Sequence, residues 1–146
     1  MIPTKFGIKH FITTTILVNI WVQVSETIRY LVFVVPRMET DAGQIPEATG
    51  AVLVIWIMWG TLLTGLTVFL FWMYAKLFGN SMLTILKSAT ISWAFVFVLF
   101  WIGISNMGLS DWSLLWITLP LSWLEIFVAT YIASLLYRKP LKTQMT

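Results

Sequence analysis

Four apolar runs dominate this chain, at residues 11–35, 51–77, 82–105 and 112–137. Each is long enough to cross the ~30 Å hydrocarbon core of a bilayer. Lipid offers no water to an exposed peptide group, so runs of this length have to be helices. Charged residues make up only 10% of the 146, against a usual ~25% in soluble domains. The expected fold is therefore all-α: one polytopic membrane domain, a bundle of four transmembrane helices. Punctuation agrees with these spans. Pro36 is expected to stop the first helix, and Gly79-Asn80 and Asn106-Met107-Gly108 mark turns. Asp111 is placed to cap the fourth helix, and Pro120 to kink it.

The first run is the one that carries polar residues. At 100° per residue, Asn19, Gln23, Glu26 and Tyr30 fall within about 60° of one another. Arg29 sits about 80° to one side, one turn from Glu26. Charges in hydrocarbon are costly unless paired or wetted, so this face must look into protein or a cavity. With a rise of ~1.5 Å per residue, Gln23 and Glu125 come within about 2 Å of the bilayer centre. Thr61, Thr64 and Ser92 come within about 4 Å of it by the same count. Polar residues of all four helices are thus expected to share one layer. Glu26, Glu125, Arg29, Gln23, Asn19, Tyr30, Thr64 and Ser92 are its candidate ligand- or ion-binding residues.

The remaining charges sort by side. Lys5, Lys9, Lys76, Lys87, Arg138, Lys139 and Lys142 fall together for a four-span chain, and Glu39, Asp41, Glu47 and Asp111 fall opposite with Arg37. The positive-inside rule then puts both termini in the cytoplasm. On the second span, Gly60 with Thr64 and Thr61 with Gly65 are small-xxx-small pairs, which suit close helix packing. The net charge of +3 comes from the flanks and does not point to nucleic acid. There is no cysteine and a single histidine, His10. Disulfides and thiolate sites are excluded, no metal site or haem is expected, and no cofactor is implied.

Glu26 and Glu125 against Arg29 leave one negative charge over. Either one carboxyl is protonated, or a cation or cationic ligand fills the gap. That points to a small transporter or an ion- or proton-coupled ligand-binding protein. The alternative is a structural or accessory subunit in which the cluster is interhelical glue. A cavity reaching Glu125 favours the first reading; a dry cluster with a flat aromatic outer face favours the second. Catalysis has little to draw on: no nucleophile–base pair, metal cluster or phosphate loop is present, and only a paired-carboxylate acid/base site stays open. Four short helices enclose little volume, so the expected partners are lipid and either further copies of the chain or a larger membrane complex.

The last run, from Trp123-Leu124-Glu125 through Tyr131 to Tyr137-Arg138, resembles small uncharacterised bacterial membrane proteins with four spans, a polar first helix and a Glu in the last one. The resemblance implies an inner-membrane four-helix protein and adds no site residue beyond Glu125.

Overall fold

A computed structural model describes residues 8–37 and 50–137. Lys5, the loop acids Glu39, Asp41 and Glu47, and the basic residues Arg138, Lys139 and Lys142 lie outside the described residues. Four helices make up the described part: α1 (Ile8–Arg37), α2 (Gly50–Phe78), α3 (Met82–Asn106) and α4 (Trp112–Tyr137). Each is long and apolar enough to cross a membrane. They pack as a bundle in which each helix touches its chain neighbours and α4 closes back on α1. The α2–α4 diagonal is also in contact.

The bundle is apolar outside and small inside. Leu62, Leu77 and Trp116 are 69%, 72% and 85% exposed. The interior holds Ser88, Ser92, Thr118, Ser122, Thr130 and Ser134 beside Ala89, Ala129 and Ala133, all nearly inaccessible. Without a hydrophobic drive between helices in lipid, small side chains allow close approach and dispersion contact. Most of these hydroxyls return their proton to their own helix: Ser88 to Thr84 O at 2.8 Å, Thr118 to Leu114 O at 2.9 Å, Thr130 to Ile126 O at 2.8 Å. A backbone acceptor one turn back satisfies the hydroxyl without requiring a partner across the interface.

The turns follow their residues. Gly79 and Gly108 hold positive φ, +78° and +72°, where a Cβ is disfavoured. Ser81 caps α3 by accepting from the Thr84 N–H at 3.2 Å. Asp111 accepts from the Ser113 N–H at 2.6 Å, and the bonds from Ser113 hold its carboxyl below the usual carboxylate range.

Pro36 does not end α1. The helix runs through it to Arg37 because Tyr30–Val34 form a π-helical turn, with the Val35 N–H donating to Tyr30 O five residues back. The wider turn shifts the carbonyl that a proline ring would otherwise strike. α3 has the same device at Ala94–Val98, where the Leu99 N–H donates to Ala94 O. In both helices the buried stripe takes a single step of five across this turn: from Arg29 to Val34 in the series Val22, Glu26, Arg29, Val34, and from Ser92 to Phe97 in the series Ser88, Ser92, Phe97, Trp101, Ser105.

Candidate functional site

The expected single polar layer divides in two. Between α1 and α2 lies a neutral network. Asn19 Nδ2 donates to Thr61 Oγ1 at 3.1 Å, and Gln23 Nε2 donates to Ile57 O at 3.0 Å. Thr64 Oγ1 lies 3.0 Å from Asn19 Oδ1 and 2.7 Å from Gly60 O. Gly60 makes room for this: an added Cβ would stand 2.5 Å from Gln23 Nε2. Asn19, Gln23 and Thr64 are thereby occupied with one another and with α2 backbone.

The second part is ionic and faces α4. Arg29 Nη2 pairs with Glu26 Oε1, one turn earlier on α1. Arg29 Nε stands 3.5 Å from Glu125 Oε2 on α4, and its guanidinium lies 5.2 Å from the Phe97 ring centre on α3. All three ionic side chains are buried, Glu26 at 8% exposure, Arg29 at 6% and Glu125 at 4%. Arg29 Nε and Glu125 Oε1 have no hydrogen-bond partner among the described residues. The Trp21 indole donates to Glu125 O at 3.1 Å, which ties α1 to α4 at this level.

Above the pair opens a cavity of about 200 Å³ between α1, α2 and α3, toward the turn at residues 107–111. Glu26 and Arg29 form its floor. Tyr30, Trp56, Trp59, Phe97, Phe100 and Trp101 supply aromatic walls, with Ser110 at the turn. Tyr30 packs on Trp56 with ring centres 5.1 Å apart, and Trp59 on Phe100 at 5.9 Å. Both π-helical turns border the cavity, one through Tyr30 and Val34, the other through Val96 and Phe97.

Glu125 sits behind Arg29 and does not line the cavity. Ser92 is buried on α3, outside the lining, and its hydroxyl has no hydrogen-bond partner among the described residues. Tyr30 belongs to the cavity rather than to the amide network. Apart from Tyr30, the aromatic walls were not among the sequence candidates. Tryptophans at span ends read as interfacial anchors, and nothing local distinguishes an anchor from a cavity wall.

Near Pro120 the Trp93 indole donates to Leu119 O at 2.9 Å and stands 3.1 Å from Ser122 Oγ, so α3 is fastened to α4 beside the proline. No group of three or more metal-ligating side chains occurs among the described residues. No family model, curated protein or solved structure matches the chain.

Proposed function

We propose that this chain is a small membrane-embedded ligand-binding protein, working as a transporter or an ion-coupled binder, with its ligand in the cavity between α1, α2 and α3. The observation that carries the reading is the placement of a buried Glu26–Arg29 pair at the floor of an aromatic-walled space. Intramembrane ionisable groups that face a cavity commonly mark a pathway. The cavity is smaller than the ~300–1,000 Å³ of drug-sized sites, so the ligand is small. The charge partition adds an orientation with both termini cytoplasmic, and the resemblance of the last span to small bacterial membrane proteins adds the inner (plasma) membrane.

The test is a cavity-filling variant. Full-length protein in lipid nanodiscs is titrated with tetraethylammonium and with the neutral alcohol triethylcarbinol, read by tryptophan fluorescence. At least one probe should saturate in the native chain and fail to do so in Ile104→Trp, and tetraethylammonium, which does not cross lipid unaided, should enter proteoliposomes only when the protein is present. Non-saturating partition of both probes in both proteins would overturn the binding role.

A second reading, the accessory subunit, draws on a different feature. Trp93, Trp112, Trp116 and Trp123 surround Pro120 in a surface groove of about 560 Å³ on α3 and α4. On that reading the groove meets another copy of the chain or a larger complex. Disulfide trapping of Trp116→Cys in native membranes tests whether this groove meets a partner: a discrete cross-linked species together with non-saturating probes supports the accessory role, and monomer alone counts against it.

A further inference from the structure

We propose that the cavity takes a compact quaternary ammonium ion with Glu26 as its counter-charge, and that Arg29 frees Glu26 for this by turning toward Glu125. The inference rests on the ligand-binding reading of the same cavity and names the ligand class and the control.

The class follows from the walls. Six aromatic side chains surround the space, and ring faces attract cations. One such contact already exists, between the Arg29 guanidinium and Phe97. Beyond the ion pair the walls offer few hydrogen-bond acceptors. An ammonium with N–H donors would lose bonds to water that the site does not replace. A quaternary ion has no N–H to lose. Anions are disfavoured by the carboxylate excess.

The control follows from the position of Arg29. Its Nη2 is engaged by Glu26, whereas its Nε lies 3.5 Å from Glu125 and has no hydrogen-bond partner among the described residues. A small rotation of the guanidinium completes the bond to Glu125 and loosens the one to Glu26. Glu26 borders the cavity and Glu125 does not. When Glu125 carries a proton, one guanidinium balances one carboxylate, Arg29 stays on Glu26, and a cation finds no net charge. When Glu125 is ionised, it competes for Arg29 and the surplus charge appears at Glu26. The charged groups that act on Glu125 are Glu26 and Arg29, both on α1, and Ser25 adds a hydroxyl. Proton loss at Glu125 and cation binding at Glu26 therefore favour each other, and the linkage is reciprocal.

Titration calorimetry of the full chain in nanodiscs, across a pH series, tests this with tetraethylammonium and triethylcarbinol. Tetraethylammonium should bind more tightly as pH rises, by up to about tenfold per unit while one proton is exchanged. Glu125→Gln should bind it weakly at every pH, and Glu26→Gln should not bind it. Trp59→Leu changes a half-exposed wall residue and should weaken tetraethylammonium several-fold while leaving triethylcarbinol alone, which decides the matter if a carboxylate variant fails to fold. Equal binding of both probes would overturn the cation assignment and leave the ligand-binding reading standing. Binding of neither would remove both. Tight, pH-independent tetraethylammonium binding would overturn the exchange of Arg29 between the carboxylates.

Discussion

At Gly60 two opposing effects can be compared. Alanine there gains up to about 1 kcal/mol of helix propensity. Its Cβ would also stand 2.5 Å from Gln23 Nε2, so the amide must swing off Ile57 O. A polar contact of this kind in lipid is worth about 0.6–2 kcal/mol. Gly60→Ala should therefore be neutral to mildly destabilising in the native chain and stabilising by about 1 kcal/mol in Gln23→Ala, where the obstacle is gone. Thermal unfolding of the four proteins in detergent measures this, and equal effects in both backgrounds would mean that Gln23 does not rest on Gly60. Arg29 is a harsher case. Arg29→Met leaves Glu26 and Glu125 facing each other without a cation, and breaking a buried pair costs about 3–5 kcal/mol. Arg29→Lys should recover only part of the loss, because a single ammonium cannot span two carboxylates as a guanidinium does. A methionine variant as stable as the native chain would show the ionic cluster to be incidental. The nearness of Glu26 and Arg29 was legible in the sequence, since residues three apart share a helix face. The separation of Asn19 and Gln23 from the ions was not. All four residues lie on one side of α1, and only the places of α2 and α4 around that helix decide which neighbour each one meets.

The four spans were legible at the scale of the element, within a few residues at most ends, because length and hydropathy fix them. The π-helical turns were not. Their only trace is a step of five in the buried stripe, and the stripe is known only once the partners are in place. A π-helical turn holds one residue more than α-helical geometry needs. In α3 that extra residue keeps Phe97, Trp101 and Ser105 on the face already used by Ser88 and Ser92. Phe95 points outward at 68% exposure, so removing it takes nothing from the interior. Deleting Phe95 should restore a regular helix with the same inner face and leave the thermal midpoint unchanged or higher. The same deletion redraws the Val96–Phe97 wall of the cavity and should abolish saturable probe binding, while Phe95→Ala should not. Such a division between stability and function is the usual mark of irregular backbone kept for a site. A deletion variant that binds normally would reduce the π-helical turn to a packing device.

The whole molecule has two unlike ends. Toward the turn at residues 79–81, the helices are drawn close by Ala75, Ala89, Ala133 and Ser134, and Asn80 Nδ2 donates to Ser134 O at 2.9 Å. Toward the turn at 107–111, aromatic residues hold them apart around the cavity. Lys76 and Lys87 lie near the closed end, with the Lys76 ammonium 5.5 Å from the Trp72 ring centre. Asp111 lies at the open end. Positive charge is retained on the cytoplasmic side of spans joined by short turns. The closed end is thus expected to face the cytoplasm, and the cavity to open toward the other side. Cysteine substitution tests this directly, since the chain has none of its own. Met107 is 73% exposed at the open end and Phe78 is 68% exposed at the closed end. In intact cells Met107→Cys should react with a membrane-impermeant maleimide, and Phe78→Cys should react only after permeabilisation. The reverse pattern would invert the molecule. A ligand would then enter from the cytoplasm, and rising cytoplasmic rather than external pH would be what strengthens cation binding at Glu26.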